Sequence, residues 1–329
     1  MLAHPAASQD PPVPGAAARQ CRAVRTSTYG SLCEFAHAQR QPLLERLRRH
    51  GAILFKGFCL DSPQKLRKFA KAVSENLLDY VDRAAPRIEL TRRVYTSTEY
   101  PSDQWIPLHH EMSYSHIWPS ILYFGCLARA QTDGFTPIAD DRRIYPRIPE
   151  CIKEEFEAKG LLYIRNYVRG ADMTWQEAFQ TDSREELDRL TSSEHMTHEW
   201  IGDDHLRTTL RKPATMQHPI TRDTVWFNHA HLFHESNLPP ALHQALLESY
   251  GPDGMPRRVV FGDGSEIDAD VLEELRNIYM SEAIGFEWEN GDALMLDNIL
   301  TTHGRSPFVG PRKICVAMSD QQSLNEVGQ

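Results

Sequence analysis

The chain has 329 residues, 41% of them hydrophobic, and a formal net charge of −9, enough apolar material for one large core or two small ones. It has no run of about 18 apolar residues to span a bilayer and no long basic stretch to follow a phosphate backbone. These features argue against a membrane-spanning protein and a nucleic-acid partner. The N-terminus MLAHPAASQDPPVPGAAARQ has no apolar segment after a basic start, so a cytoplasmic location is expected.

Residues 1–20, rich in Ala, Pro, Gly and Gln, are predicted to be disordered, and 21–329 to form a single domain. Leu43, Leu44 and Leu47 mark a short amphipathic helix that Gly51 can end, and AILFKGF (52–58) follows as a buried strand. Ser62-Pro63 supplies an N-cap and first-turn proline for a helix with Leu66, Phe69, Ala70, Val73 and Leu77 at its apolar period. SILYFGCLAR (120–129) is strand-like, a helix closes at Gly160, and LLYIRNY (161–167) is another strand. From 171 to 210 the sequence turns polar and irregular around two short helical patches. This segment reads equally as a surface excursion or as a lid over a site.

TVWFN (224–228) reads as a strand, and helical periodicity covers 238–250 and 267–280 on either side of a GDG turn at 262–264. The last fifty residues alternate: GFEW as a strand, a turn at Asn290-Gly291-Asp292, the strand ALMLDN, a polar loop THGRSPFVGPR, and the strand KICVAMS. Early helices and late strands predict an α+β domain whose mostly β core is a barrel or sandwich. Six cysteines, at 21, 33, 59, 126, 151 and 315, form no CxxC pair and are read as reduced thiols. Cys126 and Cys315 lie in apolar runs and are assigned to the core.

IPLHHEMSYS (106–115) carries the densest chemistry. If it is extended, His109 and Glu111 share one face while His110 turns away. A third ligand must come from elsewhere, and among fifteen histidines His303 stands out at the end of the hydrophobic run DNILTTH, where a polar side chain can face a cavity. Two histidines and a carboxylate are the donor set of non-haem Fe(II) oxygenases, although histidines hydrogen-bonded at a sheet rim would give the same pattern. If the electron source is 2-oxoglutarate, its distal carboxylate needs a guanidinium and a hydroxyl. Arg312, nine residues after His303 at the start of the next strand, and Thr136 in DGFTPIAD fit those roles. Taken singly, Arg312 also reads as a solvated arginine beside Lys313, and Thr136 as a turn residue before Pro137.

The ordered set YTSTEYPSDQWIPLHHEMSY, DGFTPIADDR, VWFNHAHLF, VVFGDGSEID and GDALMLDNILTTHGRSPFVGPRKICVAM resembles the TauD/TfdA-like family of Fe(II)- and 2-oxoglutarate-dependent dioxygenases. The resemblance runs over residues 40–320 and is nearest the branch containing the syringomycin-type aspartyl hydroxylase, with His-x-Glu in place of His-x-Asp. It implies a double-stranded β-helix (jelly roll) flanked by helices. It also implies His109, Glu111 and His303 as ligands of Fe(II), and Thr136 and Arg312 on the distal carboxylate of 2-oxoglutarate. The arginine spacing varies in the family, so Arg305 or Lys313 could share that work. With O2, such an enzyme converts 2-oxoglutarate to succinate and carbon dioxide while oxidising a C–H bond, most often by hydroxylation. Halogenases of this iron family lack the carboxylate ligand, so Glu111 points to hydroxylation, desaturation or cyclisation instead.

Relatives suggest an amino-acid-type substrate, free or tethered to a carrier protein, in antibiotic or other natural-product biosynthesis. Trp105, His110, Asn228, His229 and His231 are candidate pocket residues and read equally well as packing residues of a barrel rim. Trp175 and Phe179 are the aromatics of the candidate lid, and Arg207, Arg211 and Lys212 a candidate basic patch for a carrier. Oligomerisation is common among such proteins but no motif supports it. Two rival classes remain open: a non-catalytic jelly-roll sensor, and a zinc hydrolase, in which the Arg312 and Thr136 pair would have no role.

Overall fold

Strands drawn from both ends of the chain alternate across one large sheet, in the order Ala23–Arg25, Ala52–Lys56, Ala293–Asp297, Ile117–Ala128, Lys313–Ser323, Val94–Thr96 and Glu89–Thr91. This is a computed structural model, and it describes residues 30–82, 84–97 and 100–324, together with the backbone of 23–25. The tail expected to be disordered lies outside the described residues. The first two strands pair in parallel and every other pairing in the sheet is antiparallel.

Period-two alternation explains why the central strands read as continuous apolar runs. Ile53, Phe55, Ile121, Tyr123, Ala293, Met295, Cys315 and Ala317 pack on one face, against Leu43 and Leu47 of the helix Arg40–His50 and Leu66, Phe69, Ala70 and Val73 of the helix Pro63–Val73. Leu54, Leu122, Phe124, Leu294, Leu296, Ile314 and Val316 point to the other face, into a second core. A sheet covered on both sides has no polar face to reveal its period. The local punctuation is as expected: Ser62 caps its helix with Pro63 in the first turn, Gly51 ends the preceding helix at φ 74°, and Gly160 ends Glu150–Lys159. Leu77 lies beyond its helix and bridges to Ser319. Among the described residues no helix is long and apolar enough to cross a membrane.

Opposite the large sheet lies a small antiparallel one, Ile106–His109, Thr301–Arg305 and Ile138–Asp140. Phe124 of the large sheet and His303 of the small one meet at 5.2 Å between ring centroids, which closes a jelly roll between the two layers.

Several expectations are corrected here. GFEW is not a strand: a single bridge, Ile284 to Ile138, stands just before it, and Trp288 donates its indole N–H to Thr136. TVWFN is a strand only at Thr224–Val225. The Asp141 carboxylate takes the Trp226 N–H and Asn228 Oδ1 takes the Ala230 N–H, so side chains occupy donors that a ladder would need. The polar loop after 301 begins as a strand, Thr301–Arg305, buried throughout.

The 171–210 segment is more regular than expected. Its two helices, Trp175–Phe179 and Arg184–Ser193, lead into a hairpin, Thr197–Ile201 and His205–Lys212, that extends a four-stranded antiparallel sheet with Leu161–Tyr167 and Arg257–Phe261. Trp175 and Phe179 are buried in that unit's own core with Tyr167, Leu187, Leu206 and Leu210. Nor do Arg207, Arg211 and Lys212 form a basic patch. Lys212 is buried with its ammonium on the Ser115 carbonyl and over the Trp118 ring, and burial pushes its pKa down to about 7. Arg207 pairs with Glu199.

Candidate active site

Register in the small sheet brings the histidines together. His303 is the direct cross-strand partner of His109, and their rings lie 4.5 Å apart between centroids. The close approach depends on Gly304, where an added Cβ would stand 2.5 Å from the Ile106 carbonyl oxygen. Gly304→Ala is therefore expected to push these strands apart and cost about 1–3 kcal/mol of stability, read as a lower Tm; an unchanged Tm would show that the strands have slack.

Glu111 joins them by a different route from the one expected. The strand ends at His109, and the chain turns through Glu111 with Met112 at φ 58°. Asn298 holds that turn: its Oδ1 accepts the Glu111 N–H at 2.7 Å, and its amide donates to the carbonyls of Glu111 and Pro119 at 2.9 and 2.8 Å. Ligand atoms of His109, Glu111 and His303 consequently lie within 4.8 Å of one another, the one such group of three among the described residues.

The donor chemistry fits a divalent transition metal. His109 Nδ1 donates to the Pro107 carbonyl at 2.8 Å, which leaves a lone pair on Nε2. Burial holds both imidazoles below the ordinary histidine pKa, helped for His303 by the neighbouring His109, so they stand neutral at pH 7, the form that can bind a metal. His303 Nε2 is 3.8 Å from Glu111 Oε2. Two imidazoles and one carboxylate suit iron and leave positions for other ligands.

The same cavity is lined by Thr136, Arg305, Arg312, Phe124 and Ile314. Arg312 Nη2 donates to Thr136 Oγ1 at 3.3 Å, and its Nε to the Gly134 carbonyl at 3.0 Å. Among the described residues no carboxylate pairs with it, and burial, with Arg305 as a like charge nearby, pushes its pKa down to about 10. A half-buried guanidinium with no counter-ion among the described residues, beside a hydroxyl, suits a ligand carboxylate. Arg305 is occupied elsewhere: its two terminal nitrogens donate to the carbonyls of Tyr100, Pro101 and Gln104. Lys313 is exposed.

The other candidates are distributed less simply. His110 is fully buried, donates from Nδ1 to the Asn298 carbonyl at 2.6 Å, and approaches Asp141 at 3.5 Å. It braces the turn and does not line the cavity. His231 donates from Nε2 to the Leu108 carbonyl at 2.9 Å and stacks on Tyr279, and Asn228 holds Ala214 and Ala230; both are buried supports. His229 is 5.5 Å from the His109 ring, with Nδ1 on Ser113 Oγ. Trp105 is partly buried and does not line the cavity, and neither does any residue of 171–210. Sequence reasoning missed Asn298, Gly304, Trp288 and Arg87, whose guanidinium donates to Glu111 at 2.8 Å. Of these only Gly304, between two polar residues in a strand, left a local signal.

Comparison with known proteins gives the family and the fold. The family described as taurine catabolism dioxygenase TauD, TfdA family, matches residues 15–318. The dapdiamide synthesis protein DdaC of Enterobacter agglomerans is 40% identical over 286 residues, covering 87% of this chain and 86% of that protein. A clavaminate synthase-like protein of Arabidopsis thaliana is 30% identical over 292 residues, covering 85% and 84%. Among solved structures, AAD-2 in complex with Mn(II) and N-oxalylglycine aligns with a TM-score of 0.53 at 14% identity, over 92% of this chain and 94% of that one. PvcB, an Fe, alpha-ketoglutarate dependent oxygenase from an isonitrile synthetic pathway, aligns at 0.51 and 13%, over 90% and 84%. These two likenesses support the jelly-roll fold, and the family match with the two sequence relatives supports membership: the chain belongs to the TauD/TfdA family of Fe(II)- and 2-oxoglutarate-dependent dioxygenases.

Proposed function

We propose that His109, Glu111 and His303 hold Fe(II), that Arg312 and Thr136 receive the distal carboxylate of 2-oxoglutarate, and that the enzyme oxidises a C–H bond of a small amino-acid-type molecule in natural-product biosynthesis. The observation carrying this reading is that His109 and His303, whose ligand atoms converge with that of Glu111, line one cavity with a half-buried Arg312 that pairs with no carboxylate among the described residues. The biosynthetic setting is taken from the DdaC relative, a dapdiamide synthesis protein. When bound, the iron supplies the activation of O2 that couples decarboxylation of 2-oxoglutarate to oxidation of the substrate. The chain's own residues bind and aim. Neutral His109 and His303 and the Glu111 carboxylate form one side of the metal site, Arg312 and Thr136 anchor the co-substrate's far end, and Phe124 and Ile314 keep the cavity wall apolar. A carrier-tethered substrate gains no support from a basic patch, because Lys212 is buried.

Anaerobic addition of Fe(II) and then 2-oxoglutarate to the metal-free protein should produce a weak visible metal-to-ligand band that Zn(II) does not produce. Failure of the band at saturating 2-oxoglutarate would remove the co-substrate assignment and favour the hydrolase or the sensor.

A further inference from the structure

We infer that Arg87 is a positioning residue for the metal-ligand carboxylate, and that the four-stranded sheet containing Leu161–Tyr167 and Arg257–Phe261, an accessory to the jelly roll, serves in part to hold it there; this rests on the proposed metal site. Arg87 Nη2 donates to Glu111 Oε2 at 2.8 Å, with both side chains about 95% buried. That Oε2 is also the Glu111 atom 3.8 Å from His303 Nε2. The guanidinium therefore sets the position of the very oxygen that faces the histidine. Asn298 fixes the backbone of Glu111, but the side chain still has three torsions to settle, and the bond from Arg87 settles its far end. The same geometry accounts for glutamate over aspartate: from a backbone pinned to Asn298, a carboxylate one methylene shorter falls back from both Arg87 and His303.

Arg87 is itself held from outside the jelly roll. Its guanidinium lies 4.6 Å from the centre of the Tyr80 ring. The segment leading to it is tied down at Asp82, by Arg165 Nη1 on the carboxylate at 2.8 Å and the Tyr114 hydroxyl on the carbonyl at 2.7 Å. It is tied again at Ala84, whose carbonyl accepts from Arg257 at 2.5 Å. Arg165 and Arg257 belong to adjacent strands of the accessory sheet, paired residue to residue. Partners that orient a metal ligand from behind commonly change metal affinity by about 10- to 100-fold when removed.

The test is Mn(II) affinity of the full-length metal-free protein by calorimetry for wild type, Arg87→Met, Arg87→Gln, Glu111→Asp and the double variant R87M/E111D. The Tm of each metal-free variant shows which of them fold. Arg87→Met keeps the apolar stem over Tyr80 and should bind Mn(II) about 10- to 100-fold more weakly, with Arg87→Gln alike. Because Glu111→Asp already lacks the contact, adding R87M to it should cost less than about twofold more. Affinity within about twofold of wild type in a folded Arg87 variant, or an undiminished loss in the double variant, overturns the inference while leaving the metal site standing. Glu111→Asp binding as tightly as wild type likewise overturns the inference alone, since aspartate is itself a metal ligand; wild type that binds no Mn(II) fails the metal site itself and this inference with it.

Discussion

Glu111→Ala is expected to abolish metal binding and, with it, the conversion of 2-oxoglutarate to succinate. Losing an outer partner of a metal ligand costs about 10- to 100-fold in affinity or activity, and Glu111 is proposed as a ligand itself, so the loss should exceed about a hundredfold. It would leave two neutral imidazoles facing each other across the small sheet and remove the Arg87–Glu111 ion pair. Removing one member of a buried ion pair typically costs about 3–5 kcal/mol, so a parallel Tm measurement must show that the variant is folded. Succinate release near the wild-type rate in a folded Glu111→Ala protein would sink the metal triad.

Arg312→Gln should raise the 2-oxoglutarate concentration needed for half-maximal turnover while leaving metal affinity near wild type. A hydrogen bond to a charged group contributes about 1.5–3 kcal/mol, which corresponds to roughly a 10- to 100-fold weaker co-substrate at about 1.4 kcal/mol per decade. The glutamine cannot present the guanidinium fork, and Thr136 would remain as a single donor, itself already accepting from Trp288. An unchanged 2-oxoglutarate dependence, with Mn(II) affinity also unchanged, would move the carboxylate receptor away from Arg312 and back to Arg305.

How much of this site could be read from the residues alone differs from one residue to the next. His109 and Glu111 were paired by strand alternation, yet the strand stops at His109, and Glu111 comes round on a turn fixed by Asn298, 187 residues away. The pairing survives because the turn and the alternation happen to direct the side chain to the same place. His303 was chosen as the end of an apolar strand, but it lies inside a strand of its own, after a tight turn in which the Asp297 carboxylate accepts the N–H groups of Ile299 and Leu300. Two consecutive strands with a turn between them look like one long strand when the turn residues are also apolar. His110, Asn228 and His231 were plausible pocket residues because polar side chains near a site invite that reading. In the folded chain His110 Nδ1, Asn228 Nδ2 and His231 Nε2 are committed to backbone carbonyls of other segments.

The helix boundaries at Ser62, Gly51 and Gly160 and the apolar strands of the large sheet follow from residue types and spacings, because caps and side-chain period act over a few residues; the proposed two-histidine, one-carboxylate donor set with its arginine is one reading of the residues, favoured over the others by the family resemblance. Which strand stands opposite which, the register that sets His303 against His109, the placing of Arg87 on Glu111 by an accessory sheet, and the burial of Trp175, Phe179 and Lys212 away from the surface depend on contacts between segments remote in the chain. No local pattern encodes those contacts, because they form only when the layers close on each other.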